Sequence, residues 1–450
     1  MYDRQPFHQF VPHRVDRAIK RLKEQIYHVE GDPLRVLQTK ATREHRPVSD
    51  AKSLTFTEVK KTPRAWGNLF DQCFWTIDLR GRETKGRFLK WDDLGEATVF
   101  LDEMPIFGFD PGHHVQKLPN IKGGINELLV ESICCRSGVW VPGENRHMTA
   151  EGSIFHSATL LTRDEKAFAL MHDLDTLLQT VLLMIRRDRN GEFDMFGGSY
   201  REHFDSLTPL ARRMLVLLSD IVAAYEKDGI AAACKVSARA YKELHGRGEP
   251  DAEIILTGHA HIDLVWLWPE TTADFKAVHS LSNALSLMDR YPEFVFGYSQ
   301  PASYDAIESR APKLMKEVGR RIKSGQFEHA GCLYVESDTQ LPCGENLLRS
   351  FEIGQLECMR RFGERSKVLW LPDVFGYSNC IPQLMNQFGV EYFYTTKQHW
   401  SNYTLFPHSS FVWEGQDGSE ALAHVSFMHY NLEATPDQIR FTADHHRQAG

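Results

Sequence analysis

No window of the 450 residues approaches the run of about 18 apolar residues that a membrane span requires. Met1–Pro6 is not followed by the apolar core of a secretory signal. Cysteine is scarce, with 8 in the chain, and no Cys-x-x-Cys pair occurs. Most of these cysteines sit in apolar surroundings such as Ser132-Ile133-Cys134-Cys135, as buried thiols do. Together these absences lead us to expect a reducing, cytoplasmic setting and no membrane partner. Asn402-Tyr403-Thr404 would be a glycosylation sequon only in a secreted chain. A basic excess is also missing: 52 Lys and Arg stand against 60 Asp and Glu, a net charge of −8, which argues against a nucleic-acid partner. Repeats, low-complexity segments and like-charged tails are absent as well.

What is present is an ordinary globular composition, 42% apolar and 25% charged, in a chain long enough for two or three domains. Val15, Ala18, Ile19, Leu22, Ile26 and Val29 predict a short amphipathic helix within an N-terminal extension over 1–54. Over 55–163 the pattern becomes short β-rich runs, among them 74–79, 97–101 and 128–133. Asp110-Pro111-Gly112 and Lys122-Gly123-Gly124 punctuate them, and the spacing predicts a small β-sandwich. Leu170, Leu174, Leu177, Leu178 and Val181 then open a helical region over 164–250. A second helix starts near Ser206–Pro209, and Gly246–Pro250 reads as a linker.

Beyond 250 the rhythm is strand, loop, helix. Candidate strands lie at 253–257, 294–299, 327–332, 368–371 and 391–396, with helices such as 303–323 and 345–362 between them. Strands recurring every 23 to 41 residues with intervening helices predict βαβ units in a parallel sheet or barrel. Active sites in such folds form at the C-terminal ends of strands. The polar clusters His259–Asp263, Ser299-Gln300, Glu336-Ser337-Asp338, Asp373 and Thr395-Thr396-Lys397 all fall there.

In an extended Thr257–Asp263, alternate side chains share a face, so His259, His261 and Asp263 would project together. Two imidazoles and a carboxylate suit a borderline divalent ion such as Zn²⁺. The alternative is that the histidines cap a loop and Asp263 starts a helix. Asp373, just past a buried strand in Trp370–Ser378, would face the same mouth; the competing reading makes it a helix cap.

Taken together, Gly258-His-Ala-His-Ile-Asp263, Trp266-Leu-Trp-Pro269, Trp370-Leu-Pro-Asp-Val-Phe-Gly-Tyr-Ser378, Thr396-Lys397 with Trp400, Phe406-Pro-His408 and Trp413-Glu-Gly-Gln-Asp-Gly418 resemble glycoside hydrolase family 38, the class II α-mannosidases. The likeness is to the cytosolic and vacuolar branch with its bacterial members. It is strong over about 253–420 and weaker over 70–190, where Phe107-Gly-Phe-Asp-Pro111 carries it.

The resemblance implies an α/β catalytic domain over 251–450, a parallel seven-stranded-type α/β barrel left incomplete, preceded by the sandwich and the helical segment. It implies one divalent ion, Zn²⁺ first and Co²⁺ second, held by His261, Asp263 and Asp373. Asp373 would also be the nucleophile of retaining hydrolysis, through a mannosyl-enzyme ester. Trp266 would floor the sugar site, with Asp338 and Lys397 contacting substrate, and His259 would orient or pack rather than ligate. Trp400 and His408 would line the pocket or pack. The implied partner is an α-mannoside oligosaccharide, with a homo-oligomer left open.

The resemblance also implies a C-terminally truncated chain, because the family's fourth ligand, a His, and its general acid lie in later segments. His424, His429, His445 and His446 match neither context. Asp338 and Glu336 are conceivable substitute acids, though hydroxyl contacts suit them better. On this expectation residues 1–450 alone have negligible activity. Two rivals remain: a metal-dependent polysaccharide deacetylase, and a sugar-binding homologue without activity.

Overall fold

The computed structural model describes residues 10–135, 152–188, 207–245, 253–401, 403–404, 406–426 and 433–446. The expected linker over 246–250 lies outside them, as does His429. The chain divides into two compact units: Met1–Val29, Leu161–Ile255 and Asn431–His445 form one, and Glu30–Leu160, Leu256–Tyr430 and His446–Gly450 the other.

The first unit is helical, built on Val11–Ile26, Glu165–Asp188, Pro209–Asp228, Ile230–Leu244 and Pro436–His445. Val11, Val15, Ala18, Ile19, Leu22 and Ile26 recur at helical spacing and all are buried, packed with Leu170, Leu174, Val181, Met214, Leu218 and Ile221. Thr208 caps Pro209–Asp228 by accepting from Ala211 N. Gly229, at φ 83°, turns the chain into Ile230–Leu244. Glu165–Ile185 is long and apolar enough to cross a membrane, by length and composition alone, although no apolar run in the sequence suggested one. Here its Leu170, Leu174, Leu177 and Val181 are core residues of the helical cluster.

The second unit carries the sandwich. One antiparallel sheet runs in the order Thr57–Glu58, Arg35–Gln38, Gln72–Asp78, Glu127–Ile133, Glu96–Leu101, Met104–Phe109. The facing sheet holds Ser153–Arg163, Phe88–Asp93 and Val115–Lys117, with Arg64–Trp66 also on Ser153–Arg163. Arg35–Gln38, which the sequence reading places in the N-terminal extension, thus pairs in register with Gln72–Asp78. The core between the sheets centres on Trp75, whose ring lies 5.5 Å from both Trp66 and Trp91, edge to face, and 5.1 Å from Phe155.

In the rest of this unit strands and helices alternate. Gly258–His259, Phe296–Tyr298 and Phe327–His329 form a parallel three-stranded sheet. Val368–Trp370, Tyr392–Thr395 and Glu420–Val425 run parallel in a four-stranded sheet, which Ser410–Glu414 completes antiparallel. A single bridge, Gly331 to Leu369, lies between the two. Among the described residues these are one parallel and one mixed sheet with helices between the strands, and a closed barrel is not seen.

Two further elements differ from the sequence reading. Glu253–Thr257 makes no strand, and pairing begins only at Gly258, whose N–H bonds Val295 O at 2.8 Å. The helix expected over 303–323 is two, Pro301–Arg310 and Pro312–Ser324. Pro312 has no N–H to give, and it excludes the helical conformation at Ala311, which sits at φ −145°, ψ 66°. Gly344–Phe362 stops where its glycine signal predicts, at Gly363 with φ 80°.

Candidate metal centre and active site

The loops after the parallel strands bring three ligand-capable side chains together. One atom from each of His261, Asp263 and Asp373 lies within 4.8 Å of the others. His261 Nε2 is 3.4 Å from Asp263 Oδ1 and 3.7 Å from Asp373 Oδ2. Ligands at zinc-bond distances around a tetrahedral ion lie about 3.3–3.6 Å apart, so the separations fit a divalent cation between them. The donor set, one imidazole nitrogen and carboxylate oxygens, fits the same borderline ions.

The second nitrogen of His261 is committed. Nδ1 stands 2.6 Å from Glu336 Oε2, and the Glu336 side chain is 3% exposed. Ser299 Oγ donates to the other Glu336 oxygen. Gln300 ties the two loops together: its Nε2 donates to Ile262 O at 2.6 Å, and its Oε1 accepts from Glu336 N at 3.3 Å. A carboxylate behind a histidine fixes the ring so that its other nitrogen faces a metal. Burial alone would lower the His261 pKa. Hydrogen bonds to Asp263 and Glu336, with their charge, outweigh it and push the metal-free imidazole up to about 10.

Asp373 follows the strand Val368–Trp370, and Lys397 Nζ pairs with its Oδ1. The Lys397 ammonium lies 3.2 Å from the centroid of the exposed Trp400 ring and 4.8 Å from that of Phe375. The loop carrying Asp373 is held from one side by Thr339, whose Oγ1 donates to Gly376 O at 3.0 Å and accepts from Ser378 N at 2.9 Å. Thr396 Oγ1 donates to Pro372 O at 2.7 Å from the other.

Asp338 lies on the segment that buttresses this loop, and its Oδ1 accepts from Gln340 N at 2.7 Å. A Cβ at Gly376 would meet that same oxygen at 3.7 Å, so Asp338 faces the Asp373 loop. Trp266 is 45% exposed and meets Trp268 edge to face at 5.4 Å. Trp268 Nε1 in turn donates to Asp263 O at 2.9 Å. His259 turns away from the cluster, onto Gly297 O and Trp370. His424 bonds Ser410 Oγ at 2.8 Å.

The sequence marked Glu336 and Ser299-Gln300 as polar residues at strand ends but gave them no such role. With both Glu336 oxygens engaged, the substitute-acid reading of Glu336 loses its ground. Only the fold shows the 75-residue separation between His261 and Glu336 closing to a hydrogen bond.

Residues 251–448 match the glycosyl hydrolases family 38 N-terminal domain. Over 93% of its length the chain is 30% identical to Alpha-mannosidase 2C1 of Homo sapiens and covers 39% of that protein. It is 28% identical to Alpha-mannosidase of Saccharomyces cerevisiae, again over 93% of its length and 36% of the relative. Alpha-mannosidase G of Dictyostelium discoideum is 37% identical over 44% of this chain and 18% of its own. The chain therefore spans well under half the length of these relatives. Among solved structures, an alpha-mannosidase from Enterococcus faecalis V583 superposes on 38% of this chain and 19% of its own, at 22% identity and a TM-score of 0.33. The metal-ligand cluster and the Asp373 loop both fall inside the family 38 segment.

Proposed function

We propose that the protein is a retaining, metal-dependent α-mannosidase that removes terminal α-linked mannose from oligosaccharides in the cytoplasm. The observation that carries the reading is the placement of Asp373: one carboxylate oxygen toward His261 Nε2 and the other on Lys397.

In the first displacement an Asp373 oxygen attacks the anomeric carbon, the bond to the leaving oxygen breaks with its electron pair staying on that oxygen, which takes a proton from water, and a mannosyl ester forms on Asp373. In the second, water attacks the anomeric carbon and gives up a proton to solvent, and the Asp373 carboxylate departs. Lys397 holds the side chain in a fixed orientation through both. Trp266 offers an exposed ring face to the apolar side of the sugar, and Asp338 accepts from sugar hydroxyls. A divalent ion held by His261, Asp263 and Asp373, Zn²⁺ first and Co²⁺ second, would supply positive charge to neighbouring sugar hydroxyls and favour a distorted ring. The axial 2-hydroxyl of mannose gives such a site a way to tell it from glucose.

A mechanism-based 2-deoxy-2-fluoro or 5-fluoro mannosyl fluoride tests the assignment. In the full-length protein we expect Asp373 to carry the label, found by peptide mass mapping, and Asp373→Asn to remove both labelling and turnover of aryl α-mannosides. A label on another carboxylate, or substantial turnover in the Asn variant, would refute the nucleophile.

A further inference from the structure

Trp268 is 8% exposed, although Trp266, two residues before it, faces solvent. Its ring sits in a buried cluster with Phe70, Ile133 and Cys135 of the sandwich segment and with Ala273 and Phe275 of the helix Glu270–Arg290. Lys276, on the same helix, sets its Nζ 4.4 Å from the Trp268 ring centroid. That ammonium is also 2.5 Å from Oε1 of Glu96, at the start of the sandwich strand Glu96–Leu101, with the two side chains 13% and 9% exposed. Burial alone would lower the Lys276 pKa, but the Glu96 carboxylate outweighs it; the shift is upward and the amine stays charged.

A buried ion pair is a poor way to gain stability, because desolvation consumes most of the attraction. Apolar side chains would join helix to sheet at least as well. What this pair adds is direction. A desolvated ammonium prefers the face of an indole, and so sets the plane of the ring and the line of its N–H. That N–H ends on the Asp263 carbonyl at 2.9 Å. Val265, Trp266 and Leu267 between them are all exposed, so Trp268 anchors the loop on the far side of Asp263 from Ile262, which Gln300 holds.

We propose that Glu96, Lys276 and Trp268 are positioning residues through which the β-sandwich holds Asp263 in its metal-binding geometry. The inference rests on the reading of His261, Asp263 and Asp373 as a metal centre. It gives the sandwich a task at that centre: a relay from Glu96 to Lys276, Trp268 and the Asp263 backbone.

The test is Co²⁺ binding to the full chain, by calorimetry and by visible absorption, beside thermal unfolding with and without the ion. Trp268→Phe keeps an aromatic ring in the cluster but removes the N–H and part of the packing. Lys276→Met keeps the stem and removes the charge. We expect Trp268→Phe to weaken Co²⁺ binding about tenfold or more, in the range seen when a ligand's support is lost. Lys276→Met should weaken it several-fold, and the double variant should bind no worse than about Trp268→Phe alone, because both act through one hydrogen bond. Metal-free melting temperatures should fall, because Trp268→Phe leaves a gap in the cluster and Lys276→Met leaves Glu96 without its partner, and beyond that fall the rise on adding Co²⁺ should shrink.

His261→Ala must abolish binding; if it does not, the metal centre itself is misassigned. If His261→Ala abolishes binding while Trp268→Phe and Lys276→Met bind as tightly as the parent, the relay alone is overturned. A fall in melting temperature that is equal with and without Co²⁺, at unchanged affinity, overturns it too. Should Trp268→Phe fail to fold, Glu96→Gln, which leaves an acceptor for Lys276 but no charge, is held to the criterion set for Lys276→Met.

Discussion

Trp370 donates its indole N–H to His259 Nε2 at 3.2 Å, with the two rings 5.2 Å apart. Because Nε2 accepts, the ring proton is on Nδ1, which donates to Gly297 O at 3.0 Å. Burial lowers the His259 pKa and keeps the ring neutral. Both nitrogens are therefore in use. Of the two histidines that alternate along Gly258–Asp263, only His261 offers a nitrogen to the carboxylates.

His259→Ala should accordingly leave metal stoichiometry unchanged while costing stability. Removing the ring strands the Trp370 N–H and the Gly297 carbonyl, a loss of about 1–3 kcal/mol. Denaturant unfolding measures the loss, and elemental analysis after dialysis measures the metal. A correctly folded His259→Ala protein without metal would show that His259 is a ligand.

Replacing His261 and Asp263 together by Ala should remove the ion altogether. Glu336→Gln should keep it but weaken affinity about 10- to 100-fold, since the amide can accept from Nδ1 but carries no charge. Chelator competition separates the two outcomes. Parent-like affinity in Glu336→Gln would leave Glu336 with no part in holding His261.

The metal-free centre should respond to pH in a set direction. The His261 pKa is raised from 6.5 to about 10, so the stabilisation from its protonated ring is complete below 6.5 and is lost as pH rises through about 10. Metal needs Nε2 deprotonated, so apparent affinity should climb by up to about tenfold per pH unit from neutral toward 10. Calorimetry in buffers of different ionisation heat should detect the released proton. An affinity flat between neutral pH and 9 would mean that His261 holds no such proton.

In the full-length protein Trp266→Ala should raise KM and lower kcat for aryl α-mannosides together, because an exposed ring beneath a distorting sugar serves both bound states. Its 45% exposure means that the fold loses little, and the melting temperature should barely move. A large drop in melting temperature with unchanged kinetics would make it a packing residue.

Local pattern carried a great deal in this chain. The spacing of Val15, Ala18, Ile19 and Leu22, the glycine stop at 363 and the strand–loop–helix rhythm after 250 are all nearest-neighbour signals, and each has its counterpart in the structure. The same rhythm placed the polar clusters at strand ends. It could not say that Arg35–Gln38 pairs with Gln72–Asp78, because a short strand declares its sheet only through a distant partner.

Within the candidate site, the one-in-two alternation of His259, His261 and Asp263 is a property of extended backbone, so the sequence determined which residues were available. Which of them face one another was decided by contacts that no local period encodes. Glu336 reaches back 75 residues to His261, and Trp370 reaches back 111 to His259. Lys397 finds Asp373 from the next strand of its sheet. Hydrogen bonds and ion pairs of that range form only once the strands are side by side, because the chain entropy lost in closing such loops is recovered by burial of the whole core and not by the pair itself.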